Sequence, residues 1–419
     1  MTCVVLAAIL AAPNVVFLSV DTLRADHLGC YGYDKPTSPN IDRLADESLV
    51  FEDCVCEVPL TAPSFGSMLT SLYPRMTGTT RNGLRMPGYV RTVAEIFREA
   101  GYSTFCVQSN WTLKADLFAI DRGFDLYDDA FHQKRWGVVN PERYADEVTD
   151  VALDRLANVD TSRPFFCWIH YSDPHAPYRF HSTHQPSGRP RFWLDSPTKA
   201  RAKYDSEVAF ADEHVGRLLA AIPRENTFIL FVADHGESLY EHDYLGHGRR
   251  IYQTSLHIPL MVRGPNIEPG RTPKPARAID VGTTLLALAG LVPAPGMLGR
   301  NILDADLPTS RPRVIETYGG AVPQLPGAKA LMAERPPQRI GVLLDGWKLI
   351  LDENQRPELF RIAEDPMEEE DLADRMADRV AALRHFIEEW DSTVQRLGMD
   401  QADLTKDDLE ALKSLGYLE

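Results

Sequence analysis

Cysteine is scarce: Cys3, Cys30, Cys54, Cys56, Cys106 and Cys167 are the six in 419 residues, too few for a disulfide scaffold in a chain this long. A single residue separates Cys54 from Cys56, which is no zinc-ribbon spacing, and no second pair completes such a site. The cysteines are expected to be small core residues. Positive charge is also short, with 44 Lys and Arg against 60 Asp and Glu, a formal net charge of −16. Nucleic acid and anionic membrane surfaces need a basic face to neutralise phosphates, so neither is expected as a partner. An anionic substrate would be repelled at long range, and a metal or local cations must overcome that field. Long apolar runs are missing too. The apolar stretch 3–12 has no basic start and is too short to span a bilayer. It reads either as the remnant of an export signal, placing the protein in the periplasm or outside the cell, or as a lead into the first strand. A soluble body without an integral membrane segment is expected, and no internal repeat is present.

What the chain does have is 44% hydrophobic residues, enough to bury a large core. Four segments share one pattern, a short apolar run that ends abruptly in polar residues. Residues 14–20 run into Asp21, and 102–108 into Ser109 and Asn110. Residues 164–169 run into His170, Asp173 and His175, and 227–233 into Asp234, His235 and Gly236. Continuous apolar runs of this length suit interior strands covered on both faces. Helical patterns lie between them. Tyr204, Val208, Ala211, Val215, Leu218 and Ile222 mark one face of an amphipathic helix, and 90–100 and 141–156 read similarly. Alternating strands and helices predict an α/β fold, with a sheet between helix layers. Ligands in such sheets bind beyond the carboxyl ends of the strands, so the four polar tips are expected to meet.

The Pro- and Gly-rich stretch 291–312 reads as a connection between subdomains. Beyond it, 339–345 and 347–351 predict a hairpin around Asp345 and Gly346, followed by a charged helix over 372–397. The expected division is a catalytic domain over 13–310 and a C-terminal α+β subdomain over 311–419, packed on it. The aperiodic, proline-containing segment 181–199 reads as a loop over the site.

Three groups of residues can do chemistry. Asp234 and His235 close one strand and Asp21 another. Each alone reads as a turn or cap, whereas together two carboxylates and an imidazole at adjoining tips suit a divalent cation. Thr61 precedes Pro63 at a predicted helix start, where a hydroxyl caps the helix or sits where anions bind. A metal would lower its pKa and make it a nucleophile. His170, His175, His242 and His247 crowd two short loops, and imidazoles can protonate a leaving oxygen or hold an anionic group.

The ordered motifs resemble a known family. Ser19-Val-Asp-Thr-Leu-Arg-Ala-Asp-His-Leu-Gly-Cys-Tyr-Gly32 and Thr37-Ser-Pro-Asn-Ile-Asp-Arg-Leu44 are similar to the opening of sulfatase-like enzymes of the alkaline phosphatase superfamily. Leu72-Tyr-Pro-Arg-Met-Thr-Gly78, Asp173-Pro-His-Ala-Pro-Tyr178, Tyr204-Asp-Ser-Glu-Val-Ala209, Ala233-Asp-His-Gly-Glu237 and Pro357-Glu-Leu-Phe-Arg361 follow in the family's order. The resemblance implies an alkaline-phosphatase-like α/β fold with a large, mixed, mostly parallel sheet and a small C-terminal antiparallel sheet with a helix. It implies metal ligation by Asp21, Asp234, His235 and the nucleophile Thr61, and catalytic or substrate-holding roles for His175 and His247. Asn110, His170 and Asp173 are expected to bind substrate, Asn110 falling where sulfatases usually carry a lysine motif.

Two departures shape the expected chemistry. Sulfatases carry Cys or Ser followed by x-Pro-x-Arg and oxidise the first residue to formylglycine; here Thr61 stands first and Phe65 last. Threonine cannot become that aldehyde. Thr22 stands where many sulfatases have a second metal-binding Asp, which favours zinc or manganese over calcium, with one or two ions per chain. A threonine ester needs water to attack the central atom, which phosphorus accepts readily. Resemblance to threonine members implies a phosphodiesterase, a phosphonate hydrolase or a phosphoryl transferase acting on a small-molecule, lipid or glycan ester. The alternatives are a sulfatase working without formylglycine and an inactive metal-binding homologue.

Overall fold

The computed structural model describes residues 12–131, 142–188, 196–320 and 336–399. Among the described residues the strands are β1 (Asn14–Val20), β2 (Leu49–Phe51), β3 (Cys54–Val55), β4 (Ser103–Val107), β5 (Leu126–Asp128), β6 (Phe165–Tyr171), β7 (Thr227–Ala233), β8 (Ser238–Leu239), β9 (Leu245–Gly246), β10 (Leu260–Arg263), β11 (Gly270–Thr272), β12 (Ala276–Arg277), β13 (Arg313–Thr317), β14 (Arg339–Leu344), β15 (Trp347–Asp352) and β16 (Pro357–Arg361). The helices are α1 (Pro39–Asp46), α2 (Thr61–Thr70), α3 (Pro74–Thr77), α4 (Val93–Glu99), α5 (Ala115–Phe118), α6 (Ala145–Ala157), α7 (Pro197–Ala221), α8 (Gln253–Leu256), α9 (Asp280–Leu288) and α10 (Ala377–Met399).

Eight strands form the main sheet in the order β11-β2-β10-β7-β1-β6-β4-β5. β7, β1, β6, β4 and β5 run parallel, and β10 is antiparallel to both its neighbours. The apolar runs of β1 and β7 are buried almost throughout, as interior strands require. Side chains alternate across β6, and this separates the helix layers. Phe166 stacks on Phe97 of α4 and Trp168 packs on Phe65 of α2. On the other face the Tyr171 hydroxyl pairs with Thr149 of α6, which packs on α7. Register aligns Val20 with Tyr171 and with Ala233, so β1, β6 and β7 end level and their following residues emerge together.

The second sheet, β13-β14-β15-β16, is antiparallel and carries α10. Trp390 of α10 is fully buried against Tyr73, and Arg75 pairs with both Glu316 and Asp391. The hairpin turns at Asp345 and Gly346, both with positive φ, as the sequence predicts.

Helix boundaries moved in places. The loop expected over 181–199 ends earlier, because Ser196 accepts a hydrogen bond from the Lys199 backbone and Pro197 opens α7. Residues 189–195 of that segment lie outside the described residues, as does Pro141 at the expected start of α6. The final helix starts at Ala377 rather than at residue 372, whose N–H bonds the Leu359 carbonyl. Cys54, Cys56, Cys106 and Cys167 are buried and free, and Cys30 is half-buried. No helix among the described residues is long and apolar enough to cross a membrane.

Candidate active site

Asp21 leaves β1 with its backbone N–H bonded to the Tyr171 carbonyl, next to the end of β7. There Asp234 Oδ1 accepts the backbone N–H groups of Thr22 and His235 at 3.0 and 2.8 Å. The chain then turns through Gly236, where a Cβ would stand 2.2 Å from the Thr254 carbonyl oxygen, so only glycine fits. Nδ1 of His235 donates to the Gly236 carbonyl at 2.9 Å, which leaves the lone pair of Nε2 pointing inward. Nε2 lies 3.4 Å from Asp234 Oδ2 and 3.9 Å from Asp21 Oδ1.

Helix α2 brings the hydroxyl. Its first turn is tied down by Ser64 Oγ donating to the Asp234 carbonyl at 2.7 Å and by the Ala62 N–H donating to Asn82 at 3.0 Å. Thr61 is the first helical residue, preceded by Leu60 at the cap, and its side chain caps nothing. Instead Thr61 Oγ1 lies 3.4 Å from His235 Nε2. The hydroxyl therefore sits at the positive end of a buried helix, facing the acidic cluster.

The donor set fits a divalent cation. Asp21, Asp234 and His235 offer ligand atoms within 4.8 Å of one another, the one such group found among the described residues. Asp21 Oδ1 and Asp234 Oδ2 are buried without a hydrogen-bonding partner. Burial pushes the Asp21 carboxyl up to about 8 and, reinforced by Asp21, lifts Asp234 well above the carboxylate range. Burial, with His247 nearby, holds His235 well below the usual imidazole value. Two crowded carboxylates and a neutral imidazole are costly in a dry site, and a cation relieves that cost.

The remaining predicted residues divide. The His247 ring lies 4.5 Å from that of His235 and 5.2 Å from that of His175, so both catalytic candidates stand beside the cluster. Asp173 is buried in the same loop as His175, a loop with two cis prolyl bonds. His170 is completely buried beneath the cluster, packed 4.7 Å from Phe65, and burial drops it to about 4. Asn110 donates its amide to Asp21 Oδ2. Both are buried and face Asp21. His242 leaves the group, stacked on Tyr252 with Nε2 against the Met367 carbonyl oxygen. Phe65 lies in the core among Phe17, Trp168 and His170.

Sequence reasoning missed three supports. Glu237 pairs with His247, Glu142 adds negative charge at Asp21, and Asn82 holds the start of α2. Glu237 follows the Asp-His-Gly run directly, a signal that was available; Glu142 and Asn82 carry none.

A protein-family model described as Sulfatase matches residues 13–291. The chain is 25% identical to a protein named uncharacterized sulfatase YidJ from Escherichia coli K12, covering 87% of this chain and 84% of the relative. Among solved structures, one described as in complex with its substrate D-glucosamine-2-N,6-O-disulfate superposes with a TM-score of 0.75 at 19% identity, covering 94% of this chain and all of the other. The phosphonate monoester hydrolase of Agrobacterium radiobacter superposes with a TM-score of 0.73 at 19% identity, covering 94% and 98%. This chain belongs to the sulfatase family and is an ester hydrolase.

Proposed function

We propose that the protein hydrolyses phosphoryl esters, phosphodiesters or phosphonate monoesters foremost, with Thr61 as nucleophile. The carrying observation is that Thr61 Oγ1, free of any capping duty, faces His235 Nε2 at 3.4 Å beside two partnerless carboxylate oxygens. One divalent cation, zinc or manganese, held by Asp21, Asp234 and His235, would acidify the alcohol and neutralise charge on the ester oxygens. Thr61 Oγ1 gives its proton to solvent, bonds to phosphorus in line, and the bond to the leaving oxygen breaks. His247, kept protonated by Glu237, gives its proton to that oxygen, with His175 alongside. The neutral His247 then takes a proton from water, whose oxygen attacks phosphorus as the bond to Thr61 Oγ1 breaks, and Thr61 Oγ1 regains a proton from solvent.

Charge supports a singly charged ester. Glu142 and Glu237 add negative potential at Asp21, and Phe65 supplies no cation. A sulfate ester is also singly charged, and the relatives named sulfatases favour this as the second reading. Rates on nitrophenyl sulfate, a phosphate monoester, a phosphate diester and a phosphonate monoester, each with zinc and manganese, decide between them. The diester or phosphonate should turn over fastest; dominant sulfate turnover would overturn the phosphoryl assignment.

A further inference from the structure

Asp21 divides its two oxygens. Oδ2 accepts the Asn110 amide and lies 3.7 Å from Nε2 of His170, whereas Oδ1 has no partner and faces His235 at 3.9 Å. Asn110 follows β4 and His170 belongs to β6, so both hold the carboxylate from one side of β1. His170 in turn ends a buried chain. Nε1 of Trp168 donates to Ser19 Oγ at 2.9 Å, and Ser19 Oγ lies 3.0 Å from His170 Nδ1. The competing acceptor, the Ile169 carbonyl, is farther from Ser19 at 3.5 Å. A Ser19 proton directed to the nearer Nδ1 would leave the imidazole hydrogen on Nε2, the atom that faces Asp21. The ring has little freedom to turn: Ser19 and His170 are register partners across β1 and β6, and Phe65 packs edge-on against the imidazole.

We infer that Trp168, Ser19, His170 and Asn110 form a buried positioning chain that fixes the Asp21 carboxylate, presenting Oδ1 to a divalent cation. This rests on the reading of Asp21, Asp234 and His235 as the cation site. His170 and Asn110 act through Asp21 and not on the ester. Without them Oδ2 loses the Asn110 amide donor and the imidazole 3.7 Å away, and the carboxylate can rotate away from its fellow ligands. Partners of this kind typically carry about 10- to 100-fold in metal affinity.

The test is a titration of manganese(II) alone into the chelator-stripped full-length protein, followed by calorimetry. Asn110→Ala and His170→Phe should each bind manganese about 10- to 100-fold more weakly, and His170→Gln, which keeps a donor, should lie closer to wild type. Should His170→Phe fail to fold, Ser19→Ala serves instead. It lets the imidazole hydrogen move to Nδ1, turning a lone pair toward Asp21, and should also weaken binding. Saturating manganese should restore most of kcat in every folded variant, with KM for the ester unchanged. Wild-type affinity in Asn110→Ala and Ser19→Ala would overturn the chain alone. So would a raised KM at unchanged manganese affinity, which would make these residues substrate contacts. A wild-type protein that binds neither manganese nor zinc would overturn the cation site itself.

Discussion

Nδ1 of His247 lies 3.0 Å from Oε1 of a Glu237 side chain that is entirely buried. Burial works against a charge on the imidazole, but the carboxylate outweighs it and lifts His247 to about 9. An acid in this role is active while protonated, so kcat/KM should fall as pH rises through its pKa. The alkaline limb is expected near or below 9, since a bound cation repels the imidazolium. Glu237→Gln removes the attraction and should shift that limb downward by about one unit or more, slowing the enzyme most at mildly alkaline pH. A pH–rate profile of both proteins checks this, and an unmoved limb would remove His247 as the acid.

Thr61 contributes little to the stability of α2, because its side chain makes no cap. Thr61→Ala should therefore unfold at nearly the wild-type midpoint, within about 1 kcal/mol, while turnover drops by about 10³-fold or more. Thr61→Ser keeps the oxygen and should keep measurable activity. Circular dichroism melts and single-turnover rates on a nitrophenyl diester make the comparison, and Thr61→Ala at wild-type rate would end the nucleophile assignment.

Phe65 stands where the family's motif carries an arginine, and its ring lies 4.8 Å from Trp168 and 6.3 Å from Phe17. Restoring the arginine should not restore a sulfatase. Phe65→Arg would bury a charge among aromatic rings and remove their packing, costing several kcal/mol, about 3 or more. A urea-unfolding midpoint at wild-type level would show that the site can turn the guanidinium outward.

The parts of this architecture legible in the sequence are those whose signal is local. β1 and β7 are mostly apolar, with Ser19 near the end of β1, because both faces of the interior strands are covered, and both keep their expected bounds, 14–20 and 227–233. Their polar tips converge because parallel strands end on one edge, so Asp21, Asp234 and His235 could be picked out as a set. β3, β8, β9 and β12 have two residues each, too few to show any period. Asn110 reads differently in the structure because its partner, Asp21, lies 89 residues earlier. His242 and His247 share one loop, and only packing sends one to Tyr252 and the other to Glu237. Thr61 preceding Pro63 suits a cap and a nucleophile equally; that Leu60 holds the cap position and Thr61 Oγ1 lies 3.4 Å from His235 Nε2 is visible only in the fold.

Asp280 at the start of α9 anchors Arg300 and Arg311 of the Pro- and Gly-rich stretch. Its carboxylate accepts from Arg277 at 2.9 Å, from Arg311 at 2.8 and 3.0 Å, and from the Arg300 backbone N–H at 2.9 Å. Burial disfavours its charge, yet the two guanidinium groups outweigh that and hold the carboxyl well below the usual range. A carboxylate with a depressed folded-state pKa stabilises the fold above its unfolded value, about 3.9, and loses that contribution as pH falls toward the folded value. Asp280→Asn leaves two arginines without their anion and should cost about 3–5 kcal/mol at neutral pH. The gap between wild type and variant should stay constant down to about pH 5 and narrow below about pH 4. Urea midpoints measured across that range test it: a gap that persists undiminished in acid would mean that Asp280 contributes through packing rather than charge.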